Sequence, residues 1–437
     1  MNARAAQRSA APLPILPAQA NQATRVPVLT VLDVNNFWSP TGGGVRRYEL
    51  EKARVLGERE GVRFVFALPG KTSTSERISD NVVFEHIGDS LPSRGQYRNI
   101  VISRGLRRVV ERHRPDVIEC GSPIFLPPLV QRASAKLEPR PALVGFWHAD
   151  FPRTYTGLGM RLIHPALEPA GERLGWRWMR RAFRKFDGIF VASRWVGRNL
   201  MRNGLDRLYY TPLGVDSETF TPARRDPELV ERFRGGHPDR KILFFPHRFS
   251  EEKGLRNLLS AYATLRERVT PEPALVFAGT GPEQARVEDA VAANEHVHFV
   301  GYLDSRELLA RHFASCDICP CLSKFETFGL STAEALAAGL AVVAADEGSA
   351  GELVEDCGGG LTVPYNDSAA LADAIVTLVE DGQLDERGRR GRAYAQQLTW
   401  DATFDRELRF YREIVARKRG GQPPATGFHG ADSLSRK

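Results

Sequence analysis

Glu326 and Glu334 stand with seven residues between them, across the small-residue turn Thr327-Phe328-Gly329-Leu330-Ser331-Thr332. Ala333 to Ala338 predicts a short helix that Gly339 stops, and Ala341 to Ala345 predicts a short buried strand. A loop opening onto a helix N-terminus aims unpaired backbone amides outward with a positive dipole end behind them, and such an end accepts phosphate. Carboxylates do not bind phosphate, so two of them beside the site would accept hydrogen bonds from neutral hydroxyls on the same ligand. A ligand rich in both phosphate and hydroxyls is a nucleotide sugar.

Cations for such a ligand lie upstream. Ile242 to Pro246 predicts a strand running into His247-Arg248, and Lys253-Gly254 opens the next helix. Arg248 and Lys253 therefore flank one loop, where Arg can fork onto a diphosphate and Lys can act as a point charge. The alternative is a solvated surface pair, because Glu251 and Glu252 lie between them. No Asp-x-Asp occurs in the chain. The carboxylate pair that would hold a divalent metal on a diphosphate is missing, so no metal ligands are expected and Arg248, Lys253 and helix-end amides would stabilise the leaving group.

Two further features carry candidate chemistry. Pro27 to Val34 predicts a buried strand, Asn35 to Gly44 a loop ending in Gly42-Gly43-Gly44, and Val45 to Gly57 a helix. That order delivers backbone amides to a ligand at the carboxyl edge of a parallel sheet, although the loop is not G-x-G-x-x-G and also fits a plain flexible connection. His148 ends the predicted strand Pro141 to Phe146, with Asp150 just beyond. It suits either a hydrogen bond to a sugar or acceptor hydroxyl or a structural role.

Strands and helices must position these residues. Predicted strands at 62–68, 116–120 and 188–193 alternate with helices at 100–113 and 168–185, and 221–241 turns polar and rich in Pro and Gly. A second alternation follows, with strands at 242–246, 274–278 and 297–300 and helices at 254–268, 284–294 and 306–315. Further helices are predicted at 369–380, 385–398 and 400–418. Such alternation predicts an α/β fold of two doubly wound, Rossmann-like domains. The expected organisation is a disordered leader (1–25), an N-terminal domain (26–217), a linker (218–240), a C-terminal domain (241–399) and a disordered tail (419–437), with the helix 400–418 packing back on the first domain.

Composition excludes several classes. At 437 residues and 42% apolar content the chain can bury two cores, and it has no apolar run long enough to span a membrane. The formal charge of +7, from 60 basic and 53 acidic residues, suits phosphate ligands or an anionic surface, and no nucleic-acid partner is expected. The leader carries Arg4, Arg8 and Arg25 but lacks the apolar core of a secretory signal. Cys316, Cys319 and Cys321 sit in an apolar strand-like run without a second Cys/His pair at finger spacing, so they read as structural, as do Cys120 and Cys357. A reduced, cytoplasmic setting is expected. The helix 168–185 mixes Arg173, Arg177, Arg180, Arg181, Arg184 and Lys185 with Leu174, Trp176, Trp178 and Phe183. It is either a core helix with a solvated basic face or one that lies on an anionic membrane surface.

Together these residues resemble a known family. Glu326-x7-Glu334 within Phe325-Glu326-Thr327-Phe328-Gly329-Leu330, Arg248 with Lys253-Gly254, and Pro212-Leu213-Gly214-Val215-Asp216 are similar to the GT-B retaining glycosyltransferases of family 4. Phe277-Ala278-Gly279-Thr280-Gly281-Pro282 and Phe299-Val300-Gly301-Tyr302 add to the likeness, which runs from about Val28 to Lys418. The resemblance implies two Rossmann-like domains facing across a cleft and a hexose moved from a UDP-, GDP- or ADP-sugar to a glycan or lipid-linked acceptor. The nucleotide sugar is then a substrate, no cofactor is implied, and mannose from GDP is the sugar it favours. It implies that Arg248 and Lys253 contact the diphosphate and Glu334 the ribose. Glu326 would hold a hydroxyl of the transferred sugar, beside amides of Phe328, Gly329 and Leu330, while Gly43, Gly44 and His148 contribute from the first domain. The implied mechanism is front-face retention, with the leaving phosphate helping to deprotonate the acceptor. The cysteines place the chain in the cytoplasm, and the basic helix 168–185 leaves open a peripheral position on the inner face of the membrane. Where the family has Gly-Gly after the second glutamate's strand, this chain reads Glu347-Gly348-Ser349-Ala350, which leaves the sugar open. A GT-B sugar-nucleotide epimerase and an inactive nucleotide-sugar-binding protein are the alternatives.

Overall fold

The computed structural model describes residues 29–38, 43–93 and 97–431. The expected leader and residues 432–437 lie outside them. The chain divides into two compact units. One comprises the described residues up to His148 with Arg177–Phe190 and Glu407–Gly427; the other comprises Ala149–Trp176, Val191–Arg406 and the described residues from Phe428 onward.

In the first unit the apolar runs Leu29–Val34, Val62–Pro69, Val117–Cys120 and Ala142–Phe146 form strands buried on both faces, as parallel strands must be. Seven of its strands follow the spatial order Gly188–Val191, Ala142–Phe146, Val117–Cys120, Leu29–Val34, Val62–Pro69, Val82–Ile87, Thr74–Arg77. Only Thr74–Arg77 pairs antiparallel among the registered neighbours, and all four of its residues are exposed at the sheet edge. The order reverses beside Leu29–Val34, between it and Val117–Cys120, so ligands are expected at the carboxyl ends of those two strands. The helix Gly44–Gly57 begins there, one residue earlier than Val45, with Gly43 as its N-cap.

The second unit holds six parallel strands in the order Val297–Phe299, Ala274–Phe277, Ile242–Phe245, Ile318–Cys321, Ala341–Ala345, Gly360–Val363. Numbered along the chain this is 3-2-1-4-5-6, the doubly wound arrangement expected, and its reversal falls between Ile242–Phe245 and Ile318–Cys321. Leu243, Phe245, Ile318, Val343 and Leu258 meet in its core.

Several expectations need correction. The linker 218–240 contains a helix, Pro227–Arg234, which Asp226 caps by accepting from the amides of Glu228 and Leu229, with Pro at its start and left-handed Gly235 after its end. The stretch up to 217 does not belong wholly with the first unit. Residues from Val191 onward bond within the second, where the Arg194 and Trp195 amides donate to Glu352 at 2.8 and 2.6 Å and the Val215 amide donates to Leu398 O at 2.8 Å. The helix predicted at 400–418 runs from Trp400 to Arg419, and only its part from Glu407 belongs to the first unit. The tail is ordered as far as it is described, because Phe428 lies edge-on to Tyr210 and His429 stacks on Tyr209. No helix among the described residues is long and apolar enough to cross a membrane.

Candidate active site

At the switch point of the second unit two loops meet. The first, after Ile242–Phe245, carries His247, Arg248 and the short turn Glu251–Lys253; the second, after Ile318–Cys321, carries Glu326. Gly254 follows Lys253 with φ +78°, and a Cβ there would stand 2.7 Å from Leu322 Cβ, so glycine lets the first loop seat directly on the second. Lys253 Nζ and the Glu326 carboxylate make a direct ion pair. They line a small pocket with His247, Cys321, Gly329 and Thr332. Burial acts against both charges, yet the pair outweighs it, so Glu326 is held below the usual carboxylate range and Lys253 above the usual amine value.

The helix beside this pocket runs Leu330–Ala337, three residues ahead of its predicted start. Gly329, at φ +90°, provides the left-handed turn into it, and the Ala333 amide donates to Gly329 O at 3.0 Å. Phe328 is buried, and Gly329 and Leu330 occupy the N-cap and first helical position, where amides have no intrahelical acceptor. Glu334, one turn on, lies 3.6 Å from Arg306, whose guanidinium also meets Asp216 at 3.1 Å and covers the Phe220 ring. Arg248 is exposed, and among the described residues no ion pair holds it. Arg248 is thus solvated as the alternative expects, while Glu251 pairs with Arg161 at 2.9 Å and Glu252 accepts from Ser250 at 2.7 Å.

In the first unit, Gly43 is described and a Cβ on it would meet nothing within 4 Å, so packing does not demand glycine there. Ser39 to Gly42 lie outside the described residues. His148 stacks on Phe146 at 4.1 Å and meets Tyr48 edge-on at 5.0 Å. Burial pushes its pKa down to about 3, so near neutral pH it is a neutral hydrogen-bonding ring and not a cation.

Sequence reading missed the group behind it. Lys52 is fully buried, with its Nζ 2.7 Å from Glu119, 2.8 Å from Asp33, 3.0 Å from each of the Tyr48 and Tyr411 hydroxyls and 3.5 Å from Glu407. Asp33 and Glu119 face each other in register across the two switch-point strands. The available signal was one carboxylate inside each of two apolar strands, VLDV and VIEC, which calls for a buried cation. Lys52 and Glu119 remain charged, while burial raises Asp33 well above its usual value, Glu49 to about 7 and Glu407 to about 8. A carboxyl with a higher pKa in the folded chain binds its proton more tightly there. The stability it contributes is therefore full below its unfolded value of 4.5 and falls as pH rises until the folded value is passed. Thermal stability should decline between pH 5.5 and 8, and Glu407→Gln should flatten that decline; an unchanged slope in a melting series would contradict the assignment.

Arg306 was missed because nothing in its local sequence marks it. All five cysteines are free thiols. Cys319 and Cys321 lie with Sγ atoms 3.7 Å apart, and the hydrogen bond from Cys319, assisted by Thr332 and His247, pushes the Cys321 thiol down to about 5.

Two doubly wound sheets, a cation–carboxylate pair at one switch point and a helix N-terminus beside it form an α/β architecture suited to a ligand with phosphate and hydroxyl groups. Two family descriptions match in succession, "Glycosyltransferase Family 4" over residues 42–219 and "Glycosyl transferases group 1" over residues 229–396. The chain belongs to the GT-B glycosyltransferases of family 4 and is a glycosyltransferase. The GDP-mannose-dependent alpha-(1-6)-phosphatidylinositol dimannoside mannosyltransferase of Mycobacterium tuberculosis is 27% identical over 386 residues, spanning 85% of this chain and 93% of that one. Among solved structures, sucrose-phosphate synthase of Thermosynechococcus elongatus superposes with a TM-score of 0.71 at 19% identity, covering 89% of this chain and 99% of that one. Anabaena HepE in complex with UDP and glucose gives 0.63 at 19% identity, covering 88% and 99%.

Proposed function

We propose that the chain moves a hexose, with retention, from a nucleotide-diphosphate sugar to a hydroxyl of a lipid-linked or glycan acceptor, without a divalent metal on the diphosphate. One observation carries the reading: Lys253, Glu326 and the N-terminus of Leu330–Ala337 share one pocket at the switch point of the second unit. With no ligand, Lys253 and Glu326 satisfy each other. A donor diphosphate is the stronger partner for Lys253, with Arg248 as a second cation and the amides of Gly329 and Leu330 as further donors. The Glu326 carboxylate is then released to a hydroxyl of the transferred sugar, and Glu334 accepts from the ribose. Arg306, 3.6 Å from Glu334 and 3.1 Å from Asp216, orients that carboxylate. From the first unit the reading assigns Gly43, Gly44 and the neutral His148 to substrate contacts.

In the transfer, the bond from the anomeric carbon to the diphosphate oxygen breaks with its electron pair on that oxygen. The same oxygen takes the acceptor's proton as the new bond forms on the same face. No side chain need become covalently attached, so Glu326 positions the sugar. The mycobacterial relative, named for GDP-mannose and a phosphatidylinositol mannoside, favours a mannosyl donor and a lipid-linked acceptor.

Donor hydrolysis and transfer should be assayed against UDP-, GDP- and ADP-sugars with and without EDTA. Turnover with a GDP-sugar that survives EDTA is expected; no hydrolysis and no thermal shift with any donor would sink the reading. An epimerised donor would favour the epimerase alternative.

A membrane-associated acceptor fits the helix Glu168–Phe183, which buries Trp176, Met179 and Phe183 while Arg173, Arg177, Arg180 and Arg181 stay exposed. Leu162 and Ile163, just before it, are 88% and 73% exposed. Charge reversal at Arg180 and Arg181 should lower the partition coefficient onto anionic liposomes roughly 30-fold or more, at about 1 kcal/mol per basic residue. Equal sedimentation of variant and parent would remove the membrane from the reading.

A further inference from the structure

We infer that His247, Cys319 and Cys321 form a binding site for a zinc-class divalent ion at the floor of the Lys253–Glu326 pocket. Cys319 and Cys321 are alternate residues of one strand, so the pleat sets both on the same face. His247 leaves the neighbouring strand, Ile242–Phe245, which pairs in parallel with the cysteine strand through Leu243 and Ile318. The three side chains thus converge at the carboxyl ends of the two strands that flank the switch point. One ring nitrogen of His247 and the two sulfurs all lie within 4.8 Å of one another.

Their spacing suits tetrahedral coordination. With zinc–sulfur bonds of about 2.3 Å, two thiolates of a tetrahedral site stand roughly 3.8 Å apart, and here the sulfurs are 3.7 Å apart. The imidazole is already oriented. Its Nε2 lies 3.2 Å from the Pro320 carbonyl, which can only accept, so in the tautomer protonated at Nε2 the Nδ1 lone pair is open to a metal. A metal-binding histidine commonly gives its other N–H to a backbone carbonyl in this way. Two thiolates and an imidazole select zinc over magnesium or calcium, which prefer oxygen. His247 and Cys321 line the pocket, while Cys319 is fully buried.

Binding displaces any proton the sulfurs still hold, which leaves to solvent as the zinc–sulfur bonds form. Two thiolates cancel the charge of the ion, so it adds no net cation for a diphosphate. The inference therefore goes beyond the transfer reading and does not depend on it.

The full chain, reduced and stripped with a strong chelator, should be titrated with Zn²⁺ against a chromophoric indicator and with Co²⁺ by absorption. One ion per chain is expected, and the cobalt form should show thiolate-to-metal charge transfer with the bands of tetrahedral cobalt. The double variant Cys319→Ser/Cys321→Ser should lose both signals, and His247→Gln should lower affinity roughly tenfold or more. Cys316→Ser and Cys357→Ser should leave both intact. No charge-transfer band in the parent chain, or a band that survives the double substitution, overturns the site. Formation of a Cys319–Cys321 disulfide in air with no metal uptake by the reduced chain also overturns it. Circular dichroism checks folding, and if the double variant unfolds, His247→Gln carries the test, with unchanged affinity counting against the site.

Discussion

Glu326→Ala is expected to lower turnover roughly 10²–10³-fold, the usual cost of removing one well-placed polar contact in a transition state, while nucleotide affinity stays near that of the parent. Lys253→Ala should weaken both. The difference follows from what each side chain meets once the donor replaces their mutual ion pair. Lys253 then faces the diphosphate, present in substrate and product alike, whereas Glu326 faces only the sugar being moved. Nucleotide affinity by isothermal titration and turnover by donor consumption separate the two. An equal loss of nucleotide affinity in both variants would contradict these roles. The side chains are only 25% and 28% exposed, so each single substitution also strands a largely buried charge and should lower the melting temperature. Nucleotide affinity and turnover are therefore compared at a temperature where both variants are folded.

Lys52→Met should destabilise the first unit by about 3–5 kcal/mol, the penalty for stranding buried charge when one partner is removed. Methionine replaces much of the apolar stem, so the loss would report the ammonium and not a cavity. The group left behind is extensive. Asp33, Glu119 and Glu407, with the Tyr48 and Tyr411 hydroxyls, converge on one nitrogen. Urea unfolding measures the loss, and adding Glu119→Gln should recover part of it because the two sites are coupled. A loss below about 1 kcal/mol would show that the carboxylates take up protons and need no cation. Because Tyr48 also borders His148, the Lys52 variant should disturb that ring as well, visible as a shift of its resonances.

Much of this was legible along the chain. Val31, Ile118, Leu243 and Val343 lie in short β-branched and apolar runs bounded by turn residues, the pattern of buried strands in a parallel sheet. The glutamate spacing, the Lys253-Gly254 step and the Gly329 turn were readable because backbone geometry at a strand end constrains residue type locally. The helix Pro227–Arg234 was missed although Asp226-Pro227 and Gly235 mark both its ends, because a polar, charged composition masked the caps.

Local pattern carries strands, helices and turns because these depend on neighbours within a few residues. It is silent on which distant side chains share a pocket. That Lys253 meets Glu326, that Arg306 meets Glu334, that Lys52 gathers carboxylates from two strands and the last long helix, and that His247 meets two cysteines all depend on strand order. Strand order is set by burial of the whole sheet, which no single stretch of sequence encodes.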